Sequence, residues 1–378
     1  MRYLAACCGL LLAMTDIASA VIISTGDGTG NTTAPVNDPG FANVGIRGSG
    51  TAVYLGDGWV LTAAHVGDGS TMFNNVWYNE VAGSAVQLAN PPGAGFTTDS
   101  DLLLYQIANP PDLPSVNISS SAATVGWQVT MIGAGRDRSN SQLAYWDSSW
   151  EPSSTPSTYA GEIWAATSEI RWGTNIISSA GFLEGVNANS EKSFATTFAQ
   201  NGTAFEAQGA PGDSGGAVFH QEASGVWDLA GVMFSISTAT GQPWGTSVFG
   251  NVTYSADLSA YRNEIYQLIG IPGDVNHDGI VNGLDLSIVA SNWLKMGSDS
   301  VGLPGDANHD GVVNGLDLSL IASNWDTSLS SGLSGSNVNA MQVPEPSTVG
   351  LAITSAALIV CVLSFKRAKR AWCKAAGI

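Results

Sequence analysis

The stretch Gly209-Ala210-Pro211-Gly212-Asp213-Ser214-Gly215-Gly216 sets one serine between Gly-Asp and Gly-Gly. Glycine has no side chain, so a carbonyl group can approach the backbone of such a loop closely. The N–H groups of Gly212 and Ser214 can then point to one spot, where they stabilise a developing oxyanion by about 3 kcal/mol per donor. The pattern predicts a loop that presents Ser214 as a nucleophile. An ordinary turn in a glycine-rich chain is the alternative.

A candidate base and a candidate acid lie far upstream. Residues 51–62 read as strand, turn and strand, and they run into Ala63-Ala64-His65. A neutral imidazole can accept a hydroxyl proton near pH 7, so His65 is predicted to be the general base. Asp101 directly precedes the apolar run 102–104, where a partly buried carboxylate can orient the ring. Asp99 lies two residues earlier and is expected to be a solvated neighbour.

These motifs, in the order His65, Asp101 and Ser214, resemble the chymotrypsin-like (trypsin-like) serine endopeptidases. The resemblance covers residues 44–270 and implies a mainly β fold with two six-stranded antiparallel β-barrels. It implies that Ser214 attacks a peptide carbonyl of a protein substrate, with Gly212 and Ser214 forming the oxyanion hole and no cofactor for catalysis. It also places Gln208 at the base of the specificity pocket, where a neutral side chain does not predict a preference for cationic residues.

A second motif occurs twice with a period of 32 residues, and 15 of 18 positions are identical between residues 276–293 and 308–325. Asp or Asn stands at loop positions 1, 3, 5, 9 and 12, and Gly stands at position 6, as in EF-hand loops. Oxygen donors favour Ca²⁺ over softer metals. Two Ca²⁺ sites are therefore predicted, with a backbone carbonyl at position 7 of each. The predicted ligands are Asp274, Asn276, Asp278, Ile280, Asn282 and Asp285 in the first loop, and Asp306, Asn308, Asp310, Val312, Asn314 and Asp317 in the second.

Aspartate at position 12, followed by a helix, resembles the dockerin modules. The resemblance implies a small α-helical module over residues 272–326 that binds a cohesin-like partner. Gly283-Leu284 and Gly315-Leu316 lie where partner choice usually resides. The alternative is a module that docks only on its own protease. Residues 327–342, rich in Ser, Gly and Asn, are predicted to be a flexible linker.

Both chain ends indicate export. Residues 1–20 read as a signal peptide with the cleavage site Ala18-Ser19-Ala20, followed by a leader over residues 21–43. Residues 343–378 combine Pro344-Glu345-Pro346, an uncharged stretch at 349–365 and a basic cluster. They resemble the PEP-CTERM sorting signal, which implies processing by an exosortase-type enzyme. Residues 349–365 are predicted to be a transmembrane helix that holds the chain in the bacterial inner membrane before processing, and a plain anchor is the alternative. The protein is then expected at the periplasmic face, the cell surface or the extracellular matrix.

Composition narrows the function further. The net charge of −18 argues against a nucleic-acid partner. Residues 21–342 contain no cysteine, so a secreted domain here must be stabilised by its core. The main alternative function is an inactive surface assembly or adhesion protein that acts through its dockerin. A further hypothesis is that signal cleavage frees Val21, whose ammonium group then pairs with Asp213.

Overall fold

The structure is a computed structural model that describes residues 21–92, 97–186, 189–297 and 303–329. Residues up to Leu329 belong to one compact unit. The predicted signal peptide, most of the predicted linker and the sorting tail lie outside the described residues. Within those residues, no helix is long and apolar enough to cross a membrane.

The first sheet follows a short strand, β1 (Ile22–Ile23), and contains seven strands among the described residues. Its β4 and β8 strands are antiparallel, and Ala63 lies opposite Leu102. This register brings His65, just after one strand, beside Asp101 in the next. The strands are β2 (Val44–Arg47), β3 (Gly50–Gly56), β4 (Trp59–Ala63), β5 (Thr71–Phe73), β6 (Val76–Tyr78), β7 (Val86–Ala89) and β8 (Asp99–Gln106), in the spatial order β6-β5-β2-β3-β4-β8-β7.

The second half of the peptidase-like region is organised around a closed barrel of six strands in the order β13-β14-β19-β17-β16-β9. A separate four-stranded sheet of described residues has the order β11-β10-β12-β18, and β1 pairs with β15. The strands are β9 (Gln128–Gly133), β10 (Ala144–Trp146), β11 (Pro152–Ser153), β12 (Tyr159–Ile163), β13 (Arg171–Val186), β14 (Asn189–Thr197), β15 (Ala207–Gln208), β16 (Ala217–Gln221), β17 (Trp227–Ser237), β18 (Thr246–Val248) and β19 (Val252–Asp257).

The sequence predicted two six-stranded barrels, and the described residues form one closed six-stranded barrel and one seven-stranded sheet. One strand of the larger sheet, β6, pairs with β5 through the two-residue turn Asn74-Asn75. Both asparagines have positive φ, 48° and 63°. A tight turn of this kind matches the twist of the flanking strands, and asparagine tolerates its left-handed backbone.

Three helices complete the described residues: α1 (Arg262–Ile269), α2 (Gly283–Ser291) and α3 (Gly315–Ser323). Asn282 and Asn314 are the N-caps of α2 and α3. At the third position of each helix, Asp285 and Asp317 accept a hydrogen bond from the backbone N–H of the N-cap residue, which completes a capping box. A single buried apolar cluster runs from the β-strands through α1 into the repeats, where its members are Val281, Val289, Val313 and Ile321. The repeats therefore share a hydrophobic core with the β-region.

Candidate active site

His65 and Asp101 are joined by two hydrogen bonds. The His65 backbone N–H donates to Asp101 Oδ1 at 2.8 Å, and His65 Nδ1 lies 2.5 Å from Asp101 Oδ2. The Asp101 side chain is only 1% exposed, whereas the His65 ring is 26% exposed. A buried carboxylate on Nδ1 orients the ring and leaves Nε2 for proton transfer. The predicted base and acid therefore have the geometry that their roles require.

The Ser214 loop is held against the first sheet by Thr51. The Thr51 N–H donates to the Ser214 carbonyl at 2.8 Å, and its hydroxyl donates to the Gly212 carbonyl at 2.8 Å. Gly215 has φ +88°, and a Cβ there would collide with the Thr51 carbonyl. Only glycine fits such a close approach without strain. Sequence reasoning did not identify Thr51, because nothing in its local pattern shows which loop lies opposite.

Two backbone amides of the loop are available as oxyanion donors. Gly212 has φ +102°, and the intervening Asp213 N–H donates to the Ala210 carbonyl. Within the described residues, the N–H groups of Gly212 and Ser214 have no acceptor. In the same part of the chain the Ser214 hydroxyl forms no hydrogen bond, including with His65. A hydrogen bond of this kind is often long or poorly aligned before substrate binds.

Asp213 anchors the loop from inside. It is 2% exposed; Oδ1 accepts from the Gly135 N–H at 2.8 Å and Oδ2 from the Ala210 N–H at 2.7 Å. Burial raises the pKa of Asp213 to about 8, against the opposing effect of the Ala210 hydrogen bond. Val21 is fully buried in the apolar cluster of the barrel. Among the hydrogen bonds and ion pairs of the described residues none joins Val21 to Asp213, so activation by that ammonium group stays a hypothesis.

A cavity of about 220 Å³ opens beside Ser214. Gln208, predicted at the pocket base, is not among its lining residues in the described chain. Gln208 is 1% exposed and donates from Nε2 to the Val252 carbonyl at 3.3 Å, while Ile22 lies opposite it in β1. The lining consists of Gly209, Ala210, Pro211, Asp213, Ser214, Met233, Phe234, Ser235, Ile236 and Thr253.

The family comparisons agree with this geometry. Residues 48–226 match the family model "Trypsin-like peptidase domain", and residues 272–325 match "Dockerin type I domain". Residues 48–226 therefore form a trypsin-like peptidase domain, which supports a serine endopeptidase, and residues 272–325 form a dockerin domain. No curated protein matches it significantly. Residues 343–378 lie outside both matches and outside the described residues, so the sorting tail stays a prediction.

Several solved structures are similar to the peptidase. Neuropsin, a serine protease of mouse brain, is 16% identical over 64% of this chain and 99% of its own, with a TM-score of 0.39. Kallikrein-related peptidase 10 is 16% identical over 58% and 89%, with a TM-score of 0.34. The HtrA-type protease AlgW with decapeptide is 18% identical over 61% and 55%, with a TM-score of 0.34. Scores below 0.5 add no weight to the assignment.

A buried glutamate of the peptidase also lies near Asp101. Glu191, in β14, is 0% exposed, and neither of its carboxylate oxygens has a hydrogen-bond partner in the described part of the chain. Burial, and then the charge of Asp101, raise the pKa of Glu191 to about 8. The polar run around it, Asn189-Ser190-Glu191-Lys192, gives no signal of burial, so sequence reasoning missed this residue.

The dockerin loops carry the oxygen donors that Ca²⁺ prefers. Asp274 accepts from the N–H groups of Asp278 at 3.1 Å and Gly279 at 2.8 Å, and Asp306 repeats the pattern in the second loop. Gly279 has φ +84°, as the sharp loop turn requires. Burial raises the pKa of Asp274, and the charges of Asp285 and Asp278 add to this effect.

In the described residues, no group of three or more His, Cys, Asp or Glu side chains is gathered tightly enough to hold a metal ion. Instead, the loop carboxylates accept backbone amides; Asp285, for example, accepts from the Asn276 and Asn282 N–H groups. The donor chemistry fits Ca²⁺, and the mutual repulsion of these carboxylates is what a cation would relieve.

Proposed function

We propose that the chain is an exported serine endopeptidase that hydrolyses peptide bonds through His65, Asp101 and Ser214. The observation that carries this proposal is the paired hydrogen bonding of His65 to the buried Asp101, in the sheet whose Thr51 holds the Ser214 loop. Asp101 holds the ring so that Nε2 accepts the Ser214 proton while the hydroxyl oxygen attacks the substrate carbonyl. The protonated ring then donates this proton to the leaving amine, and an acyl-enzyme remains for hydrolysis.

The amides of Gly212 and Ser214 stabilise the oxyanion in this scheme. Both lack an acceptor among the described residues, and the loop is kept in shape by Thr51 and Asp213. Preorganised donors of this type do not need to reorient when charge develops on the substrate oxygen. No cofactor is assigned a role in these steps.

The cavity favours an uncharged substrate side chain. Phe234, Ile236 and Met233 contribute apolar walls. Asp213 is the one acidic or basic residue among the cavity's described lining, and both its oxygens accept backbone amides. A cationic side chain would enter without a free carboxylate to pair with, which is unfavourable in a desolvated site.

The dockerin is assigned two Ca²⁺ ions and attachment to a surface or complex through a cohesin-like partner. The repeated oxygen-donor loops and the family match support this assignment. Export by the signal peptide and sorting of the tail by an exosortase-type enzyme rest on the sequence motifs of residues 1–20 and 343–378.

A fluorophosphonate probe tests the chemistry, because it reacts covalently with an activated serine. The full-length protein is expected to be labelled, and Ser214→Ala is expected to abolish labelling. Asn251→Ala, at a structural position away from the cavity lining, controls for loss of fold. An unlabelled but folded protein would contradict the proposal and would favour an inactive assembly protein that acts through its dockerin.

A further inference from the structure

The two dockerin repeats have nearly the same sequence but different surroundings. Asn324 is 0% exposed, whereas its equivalent Asn292 is partly exposed. Leu320 is 6% exposed, whereas its equivalent Ile288 is only partly buried. Because 15 of 18 positions in the repeats are identical, sequence does not explain the difference. The cause must be a neighbour that contacts one repeat more than the other.

That neighbour is the peptidase domain. Asn324 Oδ1 accepts from Arg262 Nη2 at 2.5 Å, and Asn324 Nδ2 donates to Asn117 Oδ1 at 2.9 Å. The network continues, since Asn117 Nδ2 donates to Asp228 Oδ1 at 2.6 Å and the Tyr266 hydroxyl donates to Asn117 Oδ1 at 3.2 Å. Every member is buried. Buried polar groups that satisfy one another in this way give an interface specific geometry.

Within the part of the chain that the structure describes, Asn292 of the first repeat joins no such network. Asn292 donates to the Ile288 carbonyl of its own helix at 2.7 Å and accepts from Lys295 Nζ at 2.6 Å. Both partners belong to the same repeat or to the residues just after it. The equivalent asparagine therefore serves only local structure.

The polar contacts at the edge of the interface also involve the second repeat. The Ser115 N–H of the peptidase donates to the Asn308 carbonyl of the second loop at 3.0 Å. His309 Nδ1 lies 3.2 Å from Asp57 Oδ1, in the turn between β3 and β4. Beneath these contacts, Val313 and Ile321 belong to the apolar cluster that also contains Leu55 and Ile118 of the peptidase; Val281 and Val289 of the first repeat share this cluster, so the asymmetry lies in the polar contacts.

We propose that the second dockerin repeat, residues 306–325, is a docking surface for the peptidase domain of the same chain, and that the two domains unfold together because of it. The surface combines an apolar centre, a buried polar network and a polar rim, as lasting interfaces do. An external partner that requires Leu320 or Asn324 must then displace the peptidase, whereas the equivalent Ile288 and Asn292 are partly exposed and do not carry this constraint.

Matched substitutions in the full-length protein test the inference. Asn324→Ala removes one buried hydrogen-bond partner from Arg262 and one from Asn117, so it is expected to lower the unfolding temperature of the peptidase by about 4–8 °C. Asn292→Ala, the same chemical change at the equivalent position, is expected to change it by less than about 1 °C. Unfolding is followed by tryptophan fluorescence, which needs no catalytic activity, so the result is independent of whether Ser214 is labelled.

If Asn324→Ala does not fold, Leu320→Ala and Ile288→Ala form a second matched pair. Leu320→Ala is expected to be the more destabilising, since it removes apolar contacts at the interface. Equal shifts within the pair that folds, or a separate unfolding transition of the dockerin in the unaltered protein, would overturn the proposal.

Discussion

Glu191 provides a sharp test of the electrostatics beside the triad. Its carboxyl group is 0% exposed, and neither oxygen has a partner in the described residues. Burial first, and then the charge of Asp101, raise its pKa from 4.5 to about 8. At pH 7 the side chain is therefore neutral in the folded protein and ionised in the unfolded chain.

The sign of the effect on stability follows from this difference. The folded state retains a proton that the unfolded chain releases above about pH 4.5. Its stabilising contribution is fully present below that pH and is lost as the pH rises to about 8. At pH 7 the loss is about 3 kcal/mol, since one pKa unit corresponds to about 1.4 kcal/mol.

The Glu191→Gln variant has no titrating group at this position. Its side chain keeps the shape of the protonated glutamate and, like it, has one hydrogen-bond donor group. We expect it to be more stable than the unaltered protein by about 3 kcal/mol at pH 7, or about 6 °C in unfolding temperature. The two proteins should have nearly equal stability at pH 4. The exposed Glu151→Gln change is the control and should shift neither value appreciably.

The assay is thermal unfolding followed by tryptophan fluorescence between pH 4 and pH 9, with Ser214→Ala in every protein to prevent self-cleavage. A stability difference between Glu191→Gln and its parent that does not change with pH would refute the reasoning. Destabilisation at pH 7 would show that Glu191 is held as an anion by the fold.

Three further outcomes are expected. Asp101→Asn should lower the rate of probe labelling at Ser214 by about 10⁴-fold, because the amide favours the wrong tautomer of the catalytic ring, and near-unchanged labelling would exclude the assigned acid. Removing Ca²⁺ with a chelator should lower the unfolding temperature of the full-length protein. Asp310→Ala should lower it more than Asp278→Ala, since within the described residues the Ser115 N–H donates to a carbonyl of the second loop and to none of the first. Ile22→Ala should destabilise the fold by about 2–4 kcal/mol because Ile22 is 0% exposed, whereas Val36→Ala, at a fully exposed position, should be neutral by chemical denaturation.

The residues of the proposed triad could be picked from the sequence because each of them follows a local pattern. His65 comes after an apolar strand, and Asp101 is the third residue of the strand that pairs with it. The glycines of the Gly-Asp-Ser-Gly-Gly loop likewise indicate its backbone conformation, since Gly212 and Gly215 both have positive φ. At these positions the residue types restrict the backbone conformation directly. The sequence pattern therefore predicts the local geometry.

Residues positioned by distant segments were not predictable in this way. Gln208 is covered by β1 rather than lining the cavity, because the apolar Val21-Ile22-Ile23 start inserts beside β15. Thr51 gains its role only when the first sheet meets the Ser214 loop. Each contact depends on how two segments far apart in the chain are aligned. The local sequence of either segment does not indicate which segment it will contact.

The dockerin repeats are the clearest case of an environment that the local sequence does not determine. Asn292 and Asn324 occupy equivalent positions in nearly identical sequences, so any method that reads only the local sequence must assign them the same environment. What separates them is Asn117 and Arg262 of the peptidase, whose hydrogen bonds within the described residues reach Asn324 and not Asn292. The difference between the repeats is therefore a property of the surface on which they pack. A dockerin of the same sequence attached to another catalytic domain should lose this asymmetry.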